Sequence, residues 1–412
     1  MLLLVQGAVS LLGGVQFERY VRSSLREPPC APTPFASVIA PVKGIDAGVE
    51  DNLKSLFTQD YLDYEIIFVI ADDHDPARSV IERAMSANPG RARLILAGHH
   101  DGRSQKVNNL LRGASNISPQ SQALVFVDSD ARVTRDWLRA LICGLADPAV
   151  GASTGYRWYI PASRRFWPTL VSAWNGSILT TLGGHGRNFA WGGSCAITRE
   201  MFDRIDVAGR WQSALSDDYA LTRAVHQAGL RIRFVPRCLA ATREDFRLRS
   251  ALEFTRRQVA ITRIYRPPSW WSGMISHSLF ALGFFGGCIW AIYVAITGAI
   301  FGSVPPERGL YLSPGLPGDY RLMVVTVTLA LIYVLGCLKA WLRLEAVGQV
   351  LPQAKSTSYW VRVIYHLLWP LVSLLFLYDF ISSAAMRRIK WRGVWYEMRS
   401  PTDTVVLGDG RE

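Results

Sequence analysis

The sequence predicts an α/β domain with a mostly parallel sheet, joined to apolar segments long enough to cross a membrane. Between residues 37 and 127, short runs rich in β-branched and aromatic residues alternate with amphipathic stretches of helical length. That alternation is typical of successive βαβ units. The first 15 residues and the chain after about residue 270 are strongly apolar, and half of all 412 residues are hydrophobic. We therefore expect one aqueous domain held at a membrane.

Changes in composition predict the order of the segments. We expect a membrane anchor at 1–17, a basic and Pro-rich linker at 18–35, the α/β domain at 36–268, membrane segments within 269–390 and a tail at 391–412. The membrane segments are predicted at 274–302, 322–341 and 361–386. Basic residues beside the apolar runs favour a cytosolic α/β domain, as in a bacterial inner membrane or its equivalent. Because Pro370 and Asp379 interrupt the last segment, we expect a hairpin that returns the tail to the cytosol.

Charge and cysteine content narrow the class of function. The net charge is +12, but the sequence has no helix-turn-helix, zinc-finger or RNA-binding signature. The basic residues instead flank the apolar segments, which favours anionic lipid headgroups over nucleic acid as the partner. The six cysteines are far apart and form no Cys-x-x-Cys pair. We therefore expect reduced thiols, with neither a disulfide framework nor a zinc site.

The individual elements follow from hydrophobic periodicity. Strands are predicted at 37–41, 64–70, 93–97, 123–127 and 231–236, and helices at 48–58, 76–85, 105–113 and 254–265. A Gly-Gly turn at Gly192 and Gly193 leads into a further short buried strand. Another helix opens at Asp217, for which Ser216 and Asp217 are suitable N-cap residues.

Charged residues follow each of the first four predicted strands. They are Lys43 and Asp46, Asp72 and Asp73, Arg103 and Lys106, and Asp128 and Asp130. Mostly parallel sheets bind ligands outside the carboxyl ends of their strands, so these side chains are expected at one edge. Asp128 and Asp130 are hard oxygen donors that suit Mg²⁺ or Mn²⁺ bridging the phosphates of a nucleotide. The alternative is a solvated turn, since Asp and Ser favour turns.

Six short motifs carry a resemblance to a known family. They are Val38-Ile-Ala-Pro-Val-Lys-Gly44, Val69-Ile-Ala-Asp-Asp-His-Asp-Pro-Ala77, Lys106-Val-Asn-Asn-Leu110, Val127-Asp-Ser-Asp130, Gly192-Gly-Ser-Cys-Ala196 and Asp217-Asp-Tyr219. With them the chain resembles family-2-like membrane glycosyltransferases, and more narrowly ceramide glucosyltransferases and their bacterial relatives. The resemblance implies a Rossmann-like GT-A fold with a mostly parallel sheet. It also implies a UDP-sugar donor, with UDP-glucose the leading candidate, and Mn²⁺ or Mg²⁺ as the cofactor.

The resemblance also implies roles for individual residues. Asp72 matches the contact to the uracil base, Asp128 begins the metal motif, and Asp218 matches the general base. Asp130 is expected as the second metal ligand. The residues expected to bind the donor are Pro41, Lys43, Asp72, Lys106, Asp128, Arg257 and Arg263. The implied reaction is inverting transfer of a hexose to the hydroxyl of a lipid in the cytosolic leaflet, with ceramide the leading candidate.

One motif departs from the family pattern. The family's Arg/Gln-x-x-Arg-Trp falls on residues 257–261, where Ala260 and Ile261 replace the Arg-Trp pair. In the family this motif helps to hold the diphosphate and the acceptor. We hypothesise that Arg263, within one helical turn, supplies the missing charge.

Other functions stay open at this point. The acceptor could be another lipid, such as diacylglycerol or a hopanoid, or a growing polysaccharide. A different class is a membrane-tethered nucleotide-binding module without catalysis. A transporter is disfavoured by the small number of apolar segments and the size of the aqueous domain. Protein partners are not predicted.

Overall fold

The computed structural model describes residues 1–28, 30, 34–161, 165–301, 318–355 and 359–408. Part of the predicted Pro-rich linker, residues 302–317 and the last residues of the predicted tail lie outside the described residues.

A seven-stranded, mostly parallel sheet forms the centre of the α/β domain. Its strands are β1 Ala36–Pro41, β2 Tyr64–Ile70, β3 Ala92–Leu96, β4 Ala123–Val127, β5 Val150–Pro161, β6 Ser194–Thr198 and β7 Arg231–Glu244. The strand order is β3-β2-β1-β4-β6-β5-β7. Strand β6 runs antiparallel to β4 and β5, and the other pairs are parallel. The predicted α/β class with a GT-A-like, mostly parallel sheet is confirmed.

Ten helices accompany this sheet or precede it in the described chain. They are α1 Leu2–Ser24, α2 Val49–Phe57, α3 Ala77–Ser86, α4 Gln105–Ala114, α5 Trp137–Cys143, α6 Phe166–Leu179, α7 Arg199–Arg204, α8 Val207–Trp211, α9 Asp217–Gln227 and α10 Leu248–Tyr265. Strands β1 and β4 are buried along their whole length, as expected for central strands covered on both faces. Helix α4 begins after Ser104, whose hydroxyl accepts the N–H of Val107 at 3.2 Å. This cap fixes the first turn of α4, which carries Lys106.

Apolar helices follow the α/β domain. They are α11 Pro267–Phe280, a π-helical turn Ala281–Phe285, α12 Gly286–Phe301, α13 Gly318–Val350, α14 Pro352–Lys355, α15 Tyr359–Leu367 and α16 Trp369–Ser383. Two stretches of the described chain, Pro267–Thr297 and Tyr320–Val350, are long and apolar enough to cross a membrane. A third span results if α15 and α16, bent by 63° against each other, count as one. Helix α1 is not among these spans, so the anchor at 1–17 stays a prediction.

Helices α15 and α16 enter the apolar bundle and return from it. Tyr365 of α15 lies under the guanidinium of Arg343, 5.3 Å from it. At the bend between the two helices, the indole N–H of Trp369 donates to the carbonyl of Tyr333 at 3.2 Å. Tyr333 lies in α13, nearly three helical turns before Arg343. At the far end of α16, Asp379 accepts a hydrogen bond of 2.9 Å from the hydroxyl of Thr255 in α10. The chain therefore comes back to the α/β domain before residue 388.

A second sheet, which we did not anticipate from the sequence, begins at residue 388, just before the predicted tail, and extends into it. Its strands are β8 Arg388–Trp391, β9 Val394–Ser400 and β10 Asp403–Gly408, in the antiparallel order β10-β9-β8. Ile389, Tyr396 and Met398 are buried against Ala260 and Ile261 of α10. The carboxyl-terminal sheet therefore packs directly against helix α10 of the α/β domain.

The expectation of reduced thiols throughout is wrong for one pair. Cys30 and Cys143 form a disulfide across 113 residues of sequence. The chain before β1 runs past the end of α5, which brings the two Cα atoms to 5.5 Å, within the range that a disulfide needs. No spacing motif in the sequence predicts a disulfide between cysteines so far apart. Cys195, Cys238, Cys288 and Cys337 are free.

Candidate active site

The site begins where β4 ends. Asp128 follows the strand directly, and its backbone N–H donates to the carbonyl of Gly193 at 3.3 Å because β6 pairs with β4. The ammonium group of Lys106, from the first turn of α4, lies 2.8 Å from Oδ1 of Asp128. Strand β4 and helix α4 thus place an acid and a base together at the carboxyl edge of the sheet.

Further charges extend this pair into a network. Lys106 also lies 3.2 Å from Oδ1 of Asp217, the first residue of α9. On the other side, Arg157 of β5 contacts Oδ2 of Asp128 and Oδ2 of Asp130, both at 3.2 Å. No side chain in the network is more than one-fifth exposed. Three carboxylates and two cations therefore share a region with little access to water.

Burial and charge set the protonation of these groups. Burial lowers the pKa of Lys106, but Asp128 and Asp217 outweigh it and raise the pKa above its usual value. Burial raises the pKa of Asp128, yet Lys106 and Arg157 hold it below its usual value. Burial raises the pKa of Asp217 to about 7 against the opposing effect of Lys106. Burial also raises the pKa of Asp130. The edge thus combines a firmly ionised carboxylate with two carboxyls that hold protons more tightly.

Gly192 is required by a close approach. A Cβ at this position would overlap Oδ2 of Asp217 and come within 2.9 Å of the Lys106 ammonium. The glycine therefore lets the β6 turn approach the Lys106–Asp217 pair without displacing it.

Asp218 lies beside the network at the start of α9. Its Oδ1 accepts hydrogen bonds from the hydroxyl of Ser216 and, at 2.7 Å, from the N–H of Tyr219. The Tyr219 hydroxyl is in turn hydrogen-bonded to Thr262 of α10 at 2.6 Å. These contacts fix the carboxylate of Asp218 in the wall of a large cavity.

This cavity, of about 1030 Å³, connects the charged edge with the apolar helices. One end is lined by Lys106, Asp128 and Asp218, and the other by aromatic side chains such as Phe280 and Phe376. Helices α1, α11, α13 and α16 all contribute to the apolar end. The volume is at the upper end of those typical of small-molecule sites.

The structure brings some of the predicted residues together and leaves others apart. Arg257 lines the cavity and lies over the ring of Phe254 at 5.5 Å. Asp72 lies outside the cavity wall, where Oδ2 is 3.2 Å from Nε2 of His99. Pro41 ends β1, and the carbonyl of Lys43 accepts a hydrogen bond of 2.7 Å from the carboxyl-terminal sheet.

Arg263 does not reach the network. Its guanidinium donates to the carbonyl of Met386 at 2.9 Å and lines a separate pocket of about 270 Å³ beside Trp270 and Trp271. Arg257 and Arg263 are six positions apart in sequence, which places them about 120° apart around the helix. The hypothesis that Arg263 replaces the missing charge therefore lacks support from the geometry.

Three charged residues of the site were missed by reasoning from sequence. Arg157 comes from β5, a strand that is not among those predicted from the sequence. Its signal is the β-rich stretch Tyr156-Arg-Trp-Tyr-Ile160 with one charge among aromatic residues. Asp217 was interpreted as a helix cap. Arg392, in the turn between β8 and β9, pairs with Asp46 at 2.8 Å beside the network, and no motif marks it.

Curated relatives match a short part of the chain. Ceramide glucosyltransferase from Komagataella phaffii is 38% identical over 84 residues, which cover 19% of this chain and 16% of the relative. Ceramide glucosyltransferase 1 from Caenorhabditis elegans is 33% identical over 79 residues, 19% of this chain and 17% of the relative. The matches thus span about a sixth of the length of these relatives.

Solved structures resemble the chain over a larger share of its length. A mannosyltransferase from Pyrobaculum calidifontis, in complex with GDP-Man and Mn²⁺, has a TM-score of 0.46 and 16% identity, covering 93% of this chain and 97% of that one. Glucosyl-3-phosphoglycerate synthase from Mycobacterium tuberculosis, with Mn²⁺ and UDP-glucose, has a TM-score of 0.37 and 16% identity, covering 60% and 82%.

The family itself follows from a match to a family model. The model described as Glycosyl transferase family 21 matches residues 3–303, more than half of the chain. The matched region includes all seven strands of the large sheet, the charged network and helices α10 to α12. The chain therefore belongs to glycosyl transferase family 21.

Proposed function

We propose that this glycosyltransferase transfers a hexose from a UDP-sugar to the hydroxyl of a membrane lipid with inversion at the anomeric carbon. Glucose and ceramide are the leading sugar and acceptor, because the curated relatives named above are ceramide glucosyltransferases. The observation that carries the proposal is the cavity that is lined both by the charged edge and by the apolar helices. A water-soluble donor and a lipid acceptor could meet in such a space.

Asp128 and Asp130 are the residues that would hold a divalent cation. No cluster of three or more His, Cys, Asp or Glu side chains suited to a metal occurs in the described part of the chain. Oδ1 of Asp130, however, is buried and has no hydrogen-bond partner. An unpaired hard oxygen of this kind fits a cation whose remaining ligands come from a diphosphate and water. When bound, Mn²⁺ or Mg²⁺ neutralises charge on the diphosphate leaving group.

The cations of the network would assist departure of UDP. Lys106 is kept protonated by its two carboxylate neighbours, so it can stabilise negative charge at the edge of the sheet. Arg157 fixes the carboxylates of Asp128 and Asp130 relative to each other through its two terminal nitrogens. Preorganised charges in a site with little water act more strongly than the same charges in solution.

Asp218 is the proposed general base. Ser216 and Tyr219 hold its Oδ1, and the residue lines the cavity. The carboxylate would accept the proton of the lipid hydroxyl while that oxygen attacks the anomeric carbon. The new glycosidic bond forms as the bond to UDP breaks, so one displacement inverts the anomeric centre. An α-linked donor then gives a β-glycoside.

The test is to incubate the full-length protein in membranes with UDP-glucose, UDP-galactose or UDP-N-acetylglucosamine and to analyse the lipids by mass spectrometry. We expect one lipid class to gain a hexose with one donor. Asp128→Asn should abolish the gain, whereas Asp51→Asn should retain it, since Asp51 is an exposed acid paired with Arg132. If UDP binds but no lipid gains a sugar with any donor, the protein is a nucleotide-binding module and the proposal fails.

A further inference from the structure

The turn between β8 and β9 places a basic residue beside the charged network. Trp391 pairs with Val394, so the connecting loop consists of Arg392 and Gly393 alone. Both have positive φ, 47° and 88°, as a type I′ hairpin turn requires. Arginine rarely adopts this conformation, in which Gly and Asn are favoured. The tight turn fixes the direction in which Arg392 leaves the backbone.

The carboxyl-terminal sheet is fastened on both sides of this turn. The N–H of Gln105, next to Lys106 at the start of α4, donates to the hydroxyl of Tyr396 at 3.3 Å. On the other side, Arg257 of α10 approaches the carbonyl of Lys390 at 3.5 Å. The sheet therefore bridges two elements that contribute charges to the cavity.

The surface of α10 against which this sheet packs is apolar. Ala260 and Ile261 pack in one buried cluster with residues of β8 and β9, and Trp391 packs against that cluster while also lining the cavity. At these two positions the chain lacks the Arg-Trp pair of its family resemblance. A small and an aliphatic side chain thus leave room for a sheet that carries Trp391 and Arg392.

Arg392 binds Asp46 without using all of its N–H donors. Its Nη1 and Nη2 donate to the two carboxylate oxygens of Asp46 at 2.9 and 2.8 Å, and Nη1 also donates to the carbonyl of Lys43 at 2.7 Å. Asp46 in turn accepts the hydroxyl of Ser129, which lies between Asp128 and Asp130, at 3.0 Å. A guanidinium has five N–H donors, so two remain after these contacts. The side chain is 37% exposed, and a ligand can reach it.

We propose that the β8–β9 hairpin forms one wall of the donor site and that Arg392 binds the diphosphate of the sugar nucleotide. This inference rests on the proposed function, since it assigns a contact to the same donor. Lys106 and Arg157 each form ion pairs with two carboxylates, whereas Arg392 forms an ion pair with one, Asp46. A guanidinium fork matches the oxygens of a phosphate group. Trp391 closes the cavity beside it.

The experiment uses the full-length protein in detergent with Mn²⁺. Arg392→Asn removes the guanidinium and keeps the turn, because Asn-Gly is a preferred type I′ sequence. We expect the Kd for UDP, measured by calorimetry, to rise at least tenfold. The Kd for uridine, measured by ligand-observed NMR, should change less than twofold because uridine carries no phosphate. Arg392→Lys should recover part of the UDP affinity.

Two further variants separate ligand binding from a structural role. Arg388→Asn changes an exposed arginine of the same sheet, paired with Glu397 at 3.3 Å, and should leave the UDP affinity unchanged. Asp46→Asn releases the guanidinium from its partner, so UDP affinity should be retained. Equal losses in Asp46→Asn and Arg392→Asn, or equal losses of UDP and uridine, mean that the pair only holds the loop, and the inference is wrong.

The outcome for the unmodified protein distinguishes the two proposals. If it does not bind UDP at all, the proposed function fails, and the role of Arg392 fails with it. If it binds UDP and Arg392→Asn binds equally well, only the role of Arg392 is refuted.

Discussion

The two ends of the cavity are built from different materials. At the α/β end, the walls are charged side chains held by ion pairs and hydrogen bonds, with Lys106 and Asp128 at the centre. At the other end, aromatic and aliphatic side chains of α11, α13 and α16 line the wall, among them Phe376, which stacks on Trp174 at 5.0 Å. His277, Lys339 and Ser373 add polar groups to that wall. Ion pairs fix positions and protonation, whereas apolar contacts tolerate changes of shape. Under the proposed function, the charged end would carry out the transfer and the apolar end would select the lipid.

The largest effect is expected at the centre of the charged end. Lys106→Met leaves Asp128 and Asp217 without their shared cation, so we expect the rate of transfer to fall about 10²- to 10³-fold. Lys54→Met changes an exposed residue of α2, and its rate of transfer should equal that of the unmodified protein. The measurement is initial rate with saturating donor and lipid, with thermal unfolding recorded alongside. Near-normal turnover in a folded Lys106→Met protein would show that the charged end is not the catalytic one.

A smaller effect is expected when the same pair is displaced rather than removed. Gly192→Ala introduces a Cβ that overlaps Asp217 and crowds Lys106. Because a shift of about 1 Å in a catalytic site can cost about 10²-fold in rate, we expect a loss of up to that size. Gly13→Ala in α1 is the control, since nothing lies within 4 Å of its Cβ position. An active Gly192→Ala enzyme would mean that the position of Asp217 does not matter to the reaction.

The apolar end should respond in substrate binding rather than in rate. Phe376→Leu changes the shape of the wall, so we expect the KM for the lipid to rise about tenfold with the KM for the donor unchanged. Phe284→Leu is a matched control, because both rings are 7% exposed and Phe284 does not line the cavity. Steady-state kinetics with each substrate varied in turn gives both constants. If the donor KM rose instead, the assignment of the two ends would have to be reversed.

The two ends also differ in how far the sequence predicted them. The charged residues after the first four strands could be located because parallel strands bring their carboxyl ends to one edge, and hydrophobic periodicity marks the strands. Asp128 and Lys106 were found in this way. Their mutual distance, and the buried state that shifts their pKa values, depend on packing that the local sequence does not encode.

The missed residues come from long-range contacts. Arg157 belongs to β5, whose register is set by pairing with β7, about 80 residues later. Arg392 reaches Asp46 across 346 residues, and Cys30 reaches Cys143 across 113. Arg263 illustrates the converse, because it is near Ala260 in sequence while its guanidinium donates to the carbonyl of Met386. Local sequence patterns predict well where strands end, but they predict poorly which distant side chains meet in a network.

The smallest effect is a pH dependence confined to the charged end. The pKa of Asp217 is raised from 3.8 to about 7, so between these values the folded protein holds a proton that the unfolded chain has released. The resulting stabilisation is complete below pH ~4 and is lost as the pH rises through about 7. Relative to Asp217→Asn, the unmodified protein should therefore lose up to about 1 kcal/mol of stability per pH unit between pH 5 and 7, and no more above pH ~7.5. Thermal unfolding without divalent ions measures this difference. Phe376→Leu, at the apolar end, should differ from the unmodified protein by the same amount at every pH, and a constant difference for Asp217→Asn as well would contradict a raised pKa at Asp217.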